Sequence, residues 1–273
     1  MYTVPVGEPE TADNGDPAGA WLSALEARHL ADLRPAEVGR ALRALSSAYV
    51  ERRDRLARGA ALDGAGKRAA FALFYGPLHF LVVGAVVRAL GAAAAPVDLV
   101  ADLGCGTGVA GAAWALECVP RARVFGIERH PWAADEARWT CRALGLDADI
   151  RCGDLARVRV PARAPALVAA YTANELPEDA RSALLRELLA AHARGARVLI
   201  VEPIAKSAVP WWPGWAEAVR AAGGRDDEWR FPGGLPGIAG RLGRAAGLDH
   251  RELTARSLYL GSASSGAAPG GGR

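Results

Sequence analysis

Between residues 97 and 202 short apolar runs alternate with helical stretches, and this alternation constrains the fold more than any other feature. Residues 97–103 read as a strand, 109–118 as a helix and 124–128 as a second strand. Pro131 then opens a helix that Gly145 closes, each residue at the helix end that suits it. Residues 148–152 and 166–171 read as strands, 178–193 as a helix ending at Gly195, and 197–202 as a fifth strand. Strands that are apolar on both faces and separated by helices predict an α/β, Rossmann-like, mostly parallel sheet covered by helices. Beyond Trp211 the pattern weakens, and only a helix over 238–246 and two closing strands, 250–254 and 257–261, are expected.

No strand pattern precedes Val97. Residues 21–33, 35–58 and 66–90 show helical spacing, as in Val38, Leu42, Leu45 and Tyr49, so residues 17–96 are expected to form an N-terminal all-helical extension, serving as a lid or substrate region. Residues 69–87 approach the length of a membrane span, but Gly76-Pro77 and His79 interrupt them, which favours a buried helix pair and no membrane. Residues 1–16 and 263–273 have the composition of disordered ends, leaving 97–262 for the sheet domain. With 273 residues, 51% apolar and 23% charged, the chain can bury a core of its own. A net charge of +3 does not point to nucleic acid; the run from Arg28 to Arg68, with ten Lys or Arg against five acids and including Arg52, Arg53 and Arg55, is read as a solvated helix face or an RNA platform. The cysteines stand singly, without a metal-binding or disulfide spacing. The N-terminus carries acids and prolines instead of a basic-then-apolar leader, so a cytoplasmic location is expected.

The stretch "VDLVADLGCGTGVAGAAWAL" places glycines where a strand turns into a helix, the arrangement that binds nucleotide-like ligands at the carboxyl end of a parallel sheet. Two registers overlap. Gly106, Gly108 and Gly111 fit a dinucleotide fingerprint, whereas Gly104, Gly106 and Gly108 behind Asp102 fit another. A carboxylate before the glycines opposes a pyrophosphate but attracts a sulfonium and an ammonium, so Asp102 favours S-adenosylmethionine over a nicotinamide cofactor. Glu128 stands at the end of the second strand, where a carboxylate can accept both ribose hydroxyls, and Asp154, in "RCGDL", can accept from the adenine amino group.

These motifs, "DLGCGTG", "GIERH" and "CGDL", resemble those of class I S-adenosylmethionine-dependent methyltransferases across residues 97–262. The resemblance implies a seven-stranded sheet with an antiparallel last strand. It also implies that Asp102, Gly104, Cys105, Gly106 and Gly108 hold the methionine end, Glu128 the ribose and Asp154 the adenine edge. "AYTANELPEDARSALLRELL" followed by "RVLIVEP" is similar to a narrower group, the methyltransferase-like proteins of the mitochondrial small ribosomal subunit and their bacterial relatives, through Asn174-Glu175-Leu176, Arg181 and Glu202-Pro203. Ribosome association is what that likeness implies, although the iron–sulfur cysteine cluster often found in that group is missing from this sequence.

Methyl transfer is an in-line displacement, so the protein chiefly aligns the acceptor, and a base is needed only for an acceptor that arrives protonated. The segment after the fourth strand supplies Tyr171, as a residue at the cofactor's methyl end, and Asn174 and Glu175 as candidate catalytic residues; alternatively, the latter two cap the following helix. The motif differs from the (D/N)PPY of many amino-group methyltransferases. Trp211, Trp212 and Trp215 are expected to pack in the core or in a lid, and His79, beside Tyr75, to be structural. The acceptor is an RNA or a small molecule; the alternative is a non-catalytic RNA or ribosome-assembly module that keeps the fold.

Overall fold

Strands that are apolar on both faces need covering on both sides, and the computed structural model shows how this chain achieves it; residues 16–51, 62–155, 161, 163–248 and 251–261 are described. Strands β1 (Leu99–Leu103), β2 (Arg123–Glu128), β3 (Ala148–Cys152), β4 (Ala166–Ala170), β5 (Arg197–Glu202), β6 (Arg225–Pro232) and β7 (Glu252–Leu260) form one sheet. Their order is β3-β2-β1-β4-β5-β7-β6. The first five are parallel, and β7 runs antiparallel to β5 and β6. The strand order reverses between β1 and β4, so a crevice opens beyond their carboxyl ends.

Before the sheet come α1 (Pro17–His29), α2 (Pro35–Glu51), α3 (Ala65–Ala70), a π turn (Phe71–Tyr75) and α4 (Gly76–Leu90). Within and after it come α5 (Val109–Glu117), α6 (Pro131–Ala143), α7 (Glu178–Ala193), α8 (Trp212–Ala221) and α9 (Gly237–Ala246). One sheet face is covered by α7 and α8, through Leu184, Leu188, Trp212 and Trp215. The other is covered by α5, α6 and α9 together with the N-terminal helices: Trp21, Leu42 and Phe74 share one core with Val100, Val124 and Leu242. Polar ties reinforce that join. On α6 the buried Glu136 takes Arg28 Nε at 3.2 Å and lies 2.7 Å from His29 Nε2, while Arg43 donates to Ala245 O at 2.6 Å.

Three expectations need correction. The helix pair expected around Gly76-Pro77 is one continuous run from Ala65 to Leu90. In it the Gly76 N–H bonds to Phe71 O, five residues back, and Pro77 falls in the first turn of α4, where its missing N–H is tolerated. This run is long and apolar enough to cross a membrane by length and composition, yet 67% of its apolar window is buried inside the protein. Second, the two closing strands are the single strand β7, because Arg256 in its middle pairs across the ladder with Glu228 and does not break it. Third, α8 and β6 escaped notice; β6 is an edge strand in which only Trp229 and Phe231 are buried, too few to show the period of two. Arg52, Arg53 and Arg55 lie outside the described residues, as do the two chain ends.

Candidate active site

At the end of β1 the chain turns through Gly104, Gly106 and Gly108 with φ of 73°, 53° and 79°, a left-handed path that L residues rarely take. Space is short as well. A Cβ on Gly104 would lie 2.4 Å from Thr172 Cγ2, and one on Gly108 2.9 Å from Ala137 Cβ. The Thr172 hydroxyl lies 3.1 Å from Gly104 O and 3.2 Å from Ala170 O, tying the turn after β4 to the loop.

The acids do not share one environment. Asp102 is 1% exposed and points beneath the loop, where its Oδ2 accepts from Gly111 N at 2.7 Å while its Oδ1 has no partner among the described residues. Burial pushes its carboxyl up to about 7, against the hydrogen bond from Gly111 and with help from Glu128. Within the protein Asp102 anchors the turn from behind, through its bond from Gly111 N. Its side chain also explains the second glycine register, since a Cβ on Gly111 would lie 2.9 Å from Asp102 Cβ. Cys105 likewise turns inward, with its Sγ 2.9 Å from where a Gly126 Cβ would stand, so only its backbone belongs to the loop surface. Glu128 is half-buried at the crevice: its Oε2 accepts from Gly106 N at 2.9 Å and its Oε1 from His130 N at 2.8 Å, leaving each oxygen further lone pairs. Asp154 is exposed after β3 and lines one end of a cavity of about 960 Å³ that runs along α7 from Leu155 and Leu176, past Leu184 and Leu188, to Ala196 before β5.

Across the crevice, Tyr171 directly follows β4 with φ of 58°, and its N–H donates to Val201 O at 2.8 Å. Asn174 and Glu175 follow in a single 3-10 turn, Ala173–Glu175, held by Glu202 at the end of β5. Glu202 is 0% exposed; its Oε1 accepts from Asn174 N at 3.2 Å, and its Oε2 has no partner among the described residues. Burial raises the Glu202 carboxyl to about 8, opposed by the bond from Asn174 and helped by Glu175. Glu175 reaches back toward the other side, 3.8 Å from Arg129 Nη2, with its carboxyl raised to about 7 by the surrounding protein, lowered by Arg129 and raised by Glu128. Glu202 was not among the site residues read from the sequence; its signal was the Glu-Pro that ends the fifth strand. Trp212 and Trp215 are core residues, and Trp212 Nε1 donates to Asp226 Oδ1 at 3.0 Å. Among the described residues no group of three His, Cys, Asp or Glu could hold a metal ion.

The N-terminal helices roof this crevice. Phe71 comes within 4.0 Å of where a Gly106 Cβ would stand, and Gly76 faces Thr107 and Val109 at the loop's end. His79 lies flat on Tyr171, ring centroids 3.7 Å apart at 12°, so the residue expected to be merely structural joins the roof to the sheet.

The methyltransferase-domain family matches residues 100–195, about a third of the chain. No curated protein matches. Among solved structures the chain is similar to the mitomycin 7-O-methyltransferase MmcR, with a TM-score of 0.50 and 20% identity over 92% of this chain and 74% of that one. That likeness in fold extends over more than the sheet domain. The plantazolicin methyltransferase BpumL in complex with S-adenosylhomocysteine gives a TM-score of 0.47 at 12% identity, covering 87% of this chain and 99% of that one. The N-methyltransferase NodS from Bradyrhizobium japonicum WM9 gives 0.45 at 12% identity, over 66% and 85% of the two chains.

Proposed function

We propose that this chain, whose residues 100–195 match the methyltransferase-domain family, is a class I methyltransferase that uses S-adenosylmethionine to methylate a small molecule entering the crevice beneath the helical roof. The observation that carries this reading is the pairing of the glycine loop with Glu128 and Glu175 on opposite sides of it. A carboxylate placed as Glu128 is attracts a sulfonium and an amino group and repels phosphates, while the charge of Glu175 is partly countered by Arg129. By this fit the backbone from Gly104 to Gly108 would hold the methionine end, Glu128 the ribose hydroxyls, and Asp154 with the apolar wall beside it the adenine, while Tyr171 stands at the methyl end. The bound cofactor supplies an electrophilic methyl group on a sulfonium.

What remains for the protein is alignment and exclusion of water. Asn174 can orient the acceptor from the 3-10 turn. Glu175, with its carboxyl near 7, can take a proton from an acceptor that arrives protonated, and the rate then rises with pH through that value as the carboxylate forms. A small acceptor is favoured over RNA because the Glu128 carboxylate opposes a phosphate backbone, and because Arg28, Arg43 and Arg241 of the described surface are engaged within the protein.

The test is transfer of labelled methyl groups to fractionated cell metabolites, RNA and protein. Label in the metabolite fraction is the expected result. Label confined to RNA would overturn the small-molecule reading, and binding of S-adenosylmethionine without transfer to any fraction, together with salt-sensitive RNA association, would support a non-catalytic assembly module.

A further inference from the structure

Three rings on the roof, Phe71, Tyr75 and His79, run in a row that Tyr171 continues on the sheet side. Phe71 and Tyr75 have centroids 5.7 Å apart, Tyr75 and His79 5.8 Å, and His79 and Tyr171 3.7 Å. Each is half-buried, and the two ends of the row fix where it lies: Phe71 stands against the glycine loop, and Tyr171 directly follows β4 on the far side of the crevice. We infer that the methyl acceptor is a flat aromatic compound that stacks in the crevice on the row formed by Tyr75, His79 and Tyr171. The inference rests on the function proposed above and narrows its substrate class.

Two further features mark the row as more than filling between helices. Three of its four members sit on or beside a π turn, a widened backbone that regular packing does not require and that recurs at functional sites. The fourth, Tyr171, is held at φ 58°, where it is alone among the described non-glycine residues. A bulky residue stays in that conformation when its surroundings demand it, and here the conformation accompanies the face-to-face contact with His79. The Tyr75 hydroxyl is spoken for by Ser46 on α2, and its half-buried ring meets Phe74 edge-on, centroids 5.1 Å apart, so any ligand would meet the remaining part of the ring. Burial pushes His79 down to about 3, so the imidazole is uncharged at neutral pH and stacks as a neutral ring. A row without charge suits a flat apolar face, with the hydroxyl or amine of such an acceptor directed toward Glu175 at the crevice rim.

The experiment uses the full chain saturated with S-adenosylhomocysteine, titrated calorimetrically with 2,3-dihydroxynaphthalene and with cyclohexane-1,2-diol, which carries a similar diol without an aromatic face. The naphthalenediol is expected to bind about tenfold tighter than the cyclohexanediol, with His79→Ala removing most of that difference and His79→Phe keeping it. Affinity for S-adenosylhomocysteine should stay within about twofold in both His79 variants, which separates a lost stack from a lost fold. Equal binding of the two diols, no binding of the naphthalenediol, or a preference that survives His79→Ala would overturn the inference. So would binding of a single-stranded RNA oligonucleotide in place of either diol. Should S-adenosylhomocysteine itself fail to bind the wild-type chain, the proposed function falls and this inference with it; failure of the diols alone leaves that function standing.

Discussion

The two banks of the crevice are built on different principles. On the β1–β2 bank the working surface is mostly backbone: three glycines in left-handed conformations, with one carboxylate, Glu128, bonded to two N–H groups. On the β4–β5 bank it is made of side chains that meet from remote parts of the chain: His79 on Tyr171, and Glu202 beneath Asn174. The first bank is a cradle whose glycine turn is written in consecutive residues, with Glu128 from the end of β2 closing it. The second is assembled only when the N-terminal helices, β4 and β5 are all in place, so it should respond to changes in distant elements that leave the first untouched.

Attacking the backbone bank at its tightest point should have the largest effect. In Gly104→Ala the added methyl collides with Thr172 at a φ that alanine resists, and affinity for S-adenosylhomocysteine is expected to fall at least about a hundredfold by calorimetry. The side-chain bank should show next in stability. The Glu202 carboxyl is raised from the ordinary 4.5 to about 8, so between those values the folded chain keeps a proton that the unfolded chain has lost. Stability supplied by that protonated carboxyl is full below 4.5 and is lost as pH rises toward 8. Melting temperature measured across this range should accordingly fall, and Glu202→Gln should flatten the slope; an unchanged slope would show that Glu202 is not the group responsible. Glu128→Gln should weaken S-adenosylhomocysteine binding by about tenfold, through loss of charge-assisted bonds to the ribose, and should also lower the melting temperature slightly, because the amide can accept from only one of Gly106 N and His130 N. The smallest effect on binding is expected for Asp102→Asn. Its amide oxygen still accepts from Gly111 N, so a change in affinity of more than a few-fold would return Asp102 to the ligand surface.

What the sequence disclosed follows the same division. The parallel strands and the helices between them were legible because each rests on local period or on glycine and proline at element ends, whereas the antiparallel end of the sheet came only from the family resemblance. The glycine loop was legible for the same reason. The direction of Asp102 was not, since a residue's charge does not say which side of a turn its side chain takes; the clue lay in Gly111, whose missing Cβ makes room for that carboxylate. Nor could any spacing join His79 to Tyr171 or Glu202 to Asn174, because those contacts depend on how α4 docks on the sheet and on β4 lying beside β5. Edge strand β6 was hidden by its own chemistry: charged residues on its open side mask the alternation that Trp229 and Phe231 begin.

The central claim is that this crevice is shaped and charged for a cationic sulfonium cofactor. Its most direct test is a paired calorimetric titration of the full chain with S-adenosylmethionine and with NADH at low ionic strength. One equivalent of S-adenosylmethionine should bind, with no heat from NADH, and Glu128→Gln should reduce the first without creating the second. Binding of NADH, or failure of S-adenosylmethionine to bind the wild-type chain, would contradict the account.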